Sequence, residues 1–160
     1  MNTKTRQLVT AALMAALVCI ATMIVKIPTP LKGYVNLGDG IVLTAGWMLS
    51  PAYGFFAAAL GSALADIFSG YVLYAPATFL IKGLMALIAY LVCAKMGKRF
   101  LGGLAAEIAM ILGYFIYESF LYGPVPSALN IPANGLQGIF GLIVSLLLIK
   151  VIEKNKLAQR

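Results

Sequence analysis

The sequence predicts an all-α integral membrane protein, a bundle of six transmembrane helices with both termini in the cytoplasm. Three observations lead there: an apolar composition, a series of apolar runs of spanning length, and a lopsided distribution of basic residues. Hydrophobic residues make up 62% of the 160 and charged residues 11%, against about a quarter charged in a soluble domain. The length allows one compact unit, residues 1–160, and no Gly-, Pro- or Ser-rich linker divides it.

A membrane helix needs roughly 18 or more apolar residues, because each advances about 1.5 Å across a core of about 30 Å. Five runs meet or approach that: 7–24, 52–67, 76–93, 104–121 and 135–152. The first follows two basic residues at the start of the chain. Its apolar part is long for a signal core and no small-residue cleavage site precedes polar sequence, so it is read as a retained helix. A further run, 41–49, is too short to span alone. Extended back to Val35 it covers only about 22 Å, which leaves a short span, a re-entrant piece or half of a hairpin turning at Ser50-Pro51.

Charge parity favours counting it. With six spans, one side holds nine of the twelve basic residues: Lys4, Arg6, Lys95, Lys98, Arg99, Lys150, Lys154, Lys156 and Arg160. The other side holds Lys26 and Lys32, and Lys82 lies within a span. The excess of positive charge marks the cytoplasmic side. Five spans would send the C-terminal basic residues outward. The net charge of +7 is therefore a topology signal, not a nucleic-acid surface.

Ionisable groups inside a span cost at least about 2.5–3.5 kcal/mol and tend to face a cavity or a partner. Asp66, Lys82, Glu107 and Glu118 are of this kind. Glu107, close behind Lys98 and Arg99, reads as a boundary residue that snorkels or pairs at the inner interface. The other three fall at one depth. Asp66 is near the outer end of the third span, Lys82 about 9 Å below the outer end of the fourth, and Glu118 three residues before the outer end of the fifth. Asn134 and Gln137 open the sixth on one helix face, with Gly138 and Gly141 continuing it. Tyr71, Tyr74, Tyr114, Tyr117 and Tyr122 surround the layer; tyrosine offers both a ring face and a hydroxyl. Two readings are open. One is structural, with Lys82 neutralising Asp66 or Glu118 and the amides capping the sixth helix. The other is a small polar pocket open to the outside.

Small residues form ladders with a spacing of four: Ala11/Ala15 and Ala12/Ala16 in the first span, Gly54/Ala58/Ser62 and Ala57/Gly61/Ala65 in the third. Such faces allow close helix contact, inside the bundle or with another membrane protein. No histidine is present, which excludes His-based metal sites and Ser-His-Asp catalysis. Cys19 and Cys93 lie in apolar runs and make no disulfide framework. The sequence has no GxxxxGK[ST] loop and no repeat of the kind secondary transporters use. No catalytic residue, metal or cofactor is expected. A pocket without an engine suggests a subunit.

The stretch Tyr34-Val-Asn-Leu-Gly-Asp39, the run Gly61-Ser-Ala-Leu-Ala-Asp66 followed by Gly70-Tyr71 and Pro76, Ile81-Lys82-Gly83, Tyr117-Glu118, and Ile131-Pro-Ala-Asn134-Gly-Leu-Gln137 occur in this order behind an N-terminal Ala-Ala-Leu-Met-Ala-Ala. Together they resemble the S components of energy-coupling factor (ECF) vitamin transporters, most closely the broad riboflavin-type and pyridoxine- or hydroxymethylpyrimidine-type group. The likeness covers nearly the whole chain; no one motif is specific, and their order carries it. It implies a six-helix vitamin-binding subunit in the cell membrane, without catalysis, that works with a transmembrane coupling protein and two cytoplasmic ATPases and topples in the bilayer. It further implies that Ala11, Ala12, Ala15 and Ala16 dock on the coupling protein and that Thr29–Asp39 gates the pocket. Asn36, Tyr74, Lys82, Tyr114, Glu118, Asn134 and Gln137 then line it, with Asp66 a pocket or a structural residue. A cation, a carboxylate, amides and tyrosines suit a small planar heterocycle, so pyridoxine or hydroxymethylpyrimidine is the first choice and riboflavin the larger alternative. Three other classes stay open: a membrane enzyme using Asp66 and Glu118 as an acid–base pair, a structural subunit, and a self-sufficient carrier.

Overall fold

The structure, a computed structural model, describes residues 2–29 and 33–158. Residues 30–32 of the expected gate, and Lys32 and Arg160 of the charge count, lie outside the described residues, as does the side chain of Lys156. Helix α1 (Thr3–Ile24) starts behind Asn2, whose side chain accepts a hydrogen bond from the Lys4 N–H at 3.3 Å. It buries only Ala11, Met14, Val18 and Thr22, a stripe one side chain wide, and leaves Leu8, Leu13, Leu17 and Ile20 exposed. Strands β1 (Lys26–Pro28) and β2 (Tyr34–Asn36) follow as an antiparallel hairpin with Ile27 opposite Val35.

Helix α2 (Gly38–Met48) resolves the short apolar run. It is about 16 Å long, half of a bilayer core, and eight of its eleven residues are buried. It is a central post, packed against α1, α3, α4 and α7. Close approach is possible because glycine stands at the contacts. A Cβ on Gly46 would lie 2.5 Å from the Ala86 carbonyl oxygen of α4, and one on Gly40 would lie 2.6 Å from Val144 Cγ1 of α7. Around the post run α3 (Pro51–Phe68), α4 (Ala75–Met96), α5 (Arg99–Tyr122), the one-turn α6 (Pro124–Ala128) and α7 (Ile131–Ala158). Proline at the first turns of α3, α4 and α6 costs no hydrogen bond there. Gly97 closes α4 with φ at 67°, a left-handed cap that favours glycine.

Among the described residues, five helices are long and apolar enough to cross a membrane. They match the five long runs, each extended by a few residues. The α1 carboxyl end, the hairpin, the α3–α4 turn and the α5–α7 connection share one end of the bundle. At the other end Arg99 Nη1 and Nη2 donate to Glu153 Oε2 and Oε1 at 3.0 and 2.6 Å, tying α5 to α7. The core between is apolar and small-sided: Val18, Val42, Leu43, Met85, Ala86, Ala89, Ala106 and Met110.

One expectation is corrected. Glu107 is not a boundary residue but 3% exposed, because α5 begins at Arg99 and carries it about two turns into the bundle, against Gly138 and Gly141 of α7.

The α2 contacts make a direct prediction. Gly46→Val forces β-branched atoms into the α4 backbone and should lower stability by about 1–3 kcal/mol or more, read as a drop in the thermal unfolding midpoint in detergent. An unchanged midpoint would show that α2 does not sit against α4.

Candidate functional site

Asp39 enters the bundle in the first turn of α2 and is fully buried. Lys82, two turns into α4, forms an ion pair with it, the two side chains being 3% and 0% exposed. A lysine at this depth needs such a partner, since the desolvation of an unpaired buried charge costs several kcal/mol. The sequence reading offered Asp66 or Glu118 as that partner, and the structure corrects it to Asp39. The Lys82 ammonium also lies 5.5 Å from the Tyr114 ring centroid, within reach of a cation–π interaction.

A chain of hydrogen bonds leads from this pair to the hairpin. Gln137 of α7 donates from Nε2 to Asp39 Oδ2 at 2.7 Å and accepts at Oε1 from the Asn36 backbone N–H at 2.8 Å. Asn36 in turn accepts at Oδ1 from the Gly38 N–H at 2.8 Å, at the entry to α2. The hairpin is thus fastened to the buried ion pair through one glutamine.

Above Lys82 the hairpin covers a cavity of about 30 Å³, room for about one water. Asn36, Tyr74, Lys82, Tyr114, Glu118, Asn134 and Gln137 all line it, so the seven residues singled out on sequence meet at one place. Asp66 lines it too. Tyr71, by contrast, stacks against Tyr34 at 4.5 Å between centroids, and Tyr117 donates to the Leu73 carbonyl; neither lines the cavity, nor does Tyr122.

Sequence reasoning missed several members. Tyr34 donates to Asp66 Oδ1 at 2.6 Å, a link from the hairpin to α3. Burial first, and the Asp66 carboxylate second, push the Tyr34 phenol above its ordinary range, so it remains a donor. Thr78 and Tyr114 hydroxyls lie 3.0 Å apart. Glu118 Oε1 accepts from Tyr74 Oη at 3.3 Å and from Asn130 Nδ2 at 2.8 Å. Asp39 was the costliest omission. An acid in a helix first turn ordinarily reads as a dipole complement. The signal that distinguishes it is its place at the head of an otherwise apolar helix.

Among the described residues, Thr29 Oγ1, Ser62 Oγ, Asp66 Oδ2, Glu118 Oε2 and Asn130 Oδ1 are buried at or just behind the cavity wall without a partner. Beside it lies a second cavity of about 320 Å³, lined by Val25, Ile27, Val35, Leu136 and Phe140 and sharing Asn36 and Gln137 with the first.

The alanines of α1 divide. Ala11 is buried, and Ala15 lies half-buried with its carbonyl oxygen against Gly61 of α3. Ala12 and Ala16 face outward from the bundle.

Comparison with known proteins identifies the family and the fold. A family described as "ECF-type riboflavin transporter, S component" matches residues 2–154. A protein of Pyrococcus woesei, described as an uncharacterized protein in a gap 3' region, is 34% identical over 131 residues, covering 79% of this chain and 88% of its own. The solved structure of the S component of a bacterial ECF transporter superposes with a TM-score of 0.79 at 26% identity, covering 94% of this chain and 97% of that one.

The ion pair is testable. Lys82→Met leaves Asp39 buried without its counter-charge and should lower stability by about 3–5 kcal/mol, and adding Asp39→Asn should restore most of it. Equal midpoints for wild type and the single variant would show that the pair contributes nothing.

Proposed function

Because this chain belongs to the family of ECF-type riboflavin transporter S components, and is with them a multi-pass protein of the cell membrane, we propose that the cavity under its hairpin binds a small, hydroxyl-bearing, non-phosphorylated nitrogen heterocycle for import. The observation that carries the proposal is the set of unpaired polar atoms at the cavity wall: one carboxyl oxygen each of Asp66 and Glu118, an amide oxygen and two hydroxyls. Each buried polar group left unpaired costs about 1–3 kcal/mol, which a ligand rich in O–H and N–H groups recovers. A phosphate would instead meet Asp66 and Glu118. Lys82 is already held by Asp39, so it serves as the floor of the site and offers its remaining donors upward.

Pyridoxine or hydroxymethylpyrimidine comes first, because the carboxylates suit a protonated ring nitrogen and the amides of Asn36, Asn134 and Gln137 suit hydroxymethyl groups; the cavity of about 30 Å³ must widen to take either. Riboflavin is the second reading. It is favoured by the family's description. In either case the task is binding, not catalysis.

Entry requires the hairpin to lift, breaking the Tyr34–Asp66 bond and the two bonds from Asn36 to Gln137, each worth about 0.5–1.5 kcal/mol or somewhat more to a charged partner. Of the expected gate Thr29–Asp39, the described residues Thr29 and 33–36 move in this scheme, while Asp39 stays paired with Lys82. The chain is one domain that crosses the membrane six times, α2 included, with both termini cytoplasmic. Lys4, Arg6, Lys95, Lys98, Arg99, Lys150 and Lys154 then share the inner end, as the distribution of positive charge requires. Import needs a transmembrane coupling protein and two ATPase subunits. Ala12 and Ala16, exposed on α1, form the docking stripe, whereas Ala11 and Ala15 are occupied against α3.

Two experiments test this. Titration of the purified chain in detergent with pyridoxine, hydroxymethylpyrimidine, riboflavin and their phosphate esters should give tight binding for one unphosphorylated compound. Lys82→Ala, Glu118→Ala and Asn134→Ala should each weaken it by about 1–3 kcal/mol; wild-type affinity in all three would remove the site from this cavity. In cells carrying the coupling module, Ala12→Phe should leave binding intact and abolish uptake. Normal uptake in that variant would assign the stripe to lipid contact alone.

A further inference from the structure

Glu107 has no part in the cavity. It lines none of its wall, is 3% exposed, and neither carboxylate oxygen has a hydrogen-bond partner. It is aimed at the buried ion pair. A Cβ on Gly141 of α7 would lie 2.8 Å from Glu107 Oε1 and 2.6 Å from Asp39 Cβ, so the two acidic side chains approach one another across the space of a missing methyl. Gly138, one turn away, leaves Glu107 Oε2 at 3.2 Å from the same kind of vacancy. The charged groups facing Glu107 are Asp39 from α2 and Lys82 from α4; α7 brings Gly138, Gly141 and the neutral Gln137. One ammonium therefore stands in the neighbourhood of two carboxyl groups, and it is bonded to Asp39.

With all three ionised the group carries one uncompensated negative charge in the interior of a membrane protein, where isolated charge is severely penalised. Two carboxyl groups sharing one site do not both ionise readily. We propose that Glu107 is a proton-binding site: in the folded chain at neutral pH it is a neutral carboxylic acid, and its proton makes the Asp39–Lys82–Glu107 group electroneutral. Asp39, bonded to both Lys82 and Gln137, is the ionised member. The proton has a positional consequence. While Glu107 is neutral, Lys82 has a single counter-charge and stays beneath Tyr114 at the cavity floor. Once the proton leaves, a second carboxylate competes for the ammonium from behind the cavity. Alkaline conditions thus act on the floor through a residue that no cargo touches. The inference concerns the empty protein and holds whichever cargo the cavity takes.

The test uses the proton itself and the full purified chain in detergent. The infrared difference spectrum between wild type and Glu107→Gln at neutral pH should contain the carbonyl stretch of a neutral carboxylic acid, lost from wild type as the pH is raised. A carboxylate band in its place overturns the proposal. A proton held in the folded chain and released on unfolding makes stability fall as pH rises. The wild-type midpoint should therefore drop between neutral and alkaline pH by more than that of Glu107→Gln, which should fold and keep its neutral-pH midpoint. If neither Glu107→Gln nor Glu107→Met folds, a negative charge is required there and the proposal fails. It fails equally if the variant follows the wild-type pH profile.

Discussion

The charge of Lys82 is the constraint from which most of this architecture follows. An ammonium about 10 Å inside a membrane bundle needs an anion at the same depth, and the anion comes from a helix too short to reach the hairpin-side surface. Asp39 is in place because α2 starts inside the bundle rather than at its edge. The hairpin must dip to deliver it, and Gln137 holds hairpin and anion together. The glycines at Gly40, Gly46 and Gly141 follow from the same requirement, since a post inserted among four long helices leaves no room for side chains at its contacts.

The bundle is polar inside and apolar outside. Asp39, Asp66, Lys82, Glu107 and Glu118 are all buried, while Leu13, Phe56, Leu80, Ile108 and Phe140 are exposed. In water this would be an aggregate; in a bilayer the exposed side chains meet lipid. With no hydrophobic force between helices in lipid, packing and internal polar contacts supply cohesion. Small residues let backbones touch, as at Gly61 against Ala15 and Gly102 against Ala89, and the Arg99–Glu153 fork secures the end opposite the hairpin.

Much of this was legible in the sequence, and the limits have a physical cause. The five long helices were readable because hydropathy over a spanning length is a strong local signal. Lys82, Glu118, Asn134 and Gln137 could be brought to one layer because helix rise converts residue count into depth. That conversion fails where a segment does not start at a membrane surface. Asp39 was counted as loop because α2's starting depth is set by tertiary contacts. The same failure misplaced Glu107: the apolar run seemed to begin at Leu104, whereas the helix begins at Arg99 and carries the acid inward. Tyr34 and Ser62 stand out only as members of a motif and a small-residue ladder, because their role at the cavity depends on which wall they face. The unpaired polar atoms around the cavity are a property of the assembled site, and no single segment carries them.

A cavity of about 30 Å³ closed above by the hairpin and below by an ion pair has a consequence for the cell that makes this protein. A polar shaft running partway through a bilayer is a hazard, because a column of water beneath it would short-circuit the voltage across the membrane. Here Leu43 and Met85, fully buried one turn beyond Asp39 and Lys82, leave such a column no path. A subunit that spends most of its life waiting for a scarce compound can then be kept in number without draining the ion gradients around it.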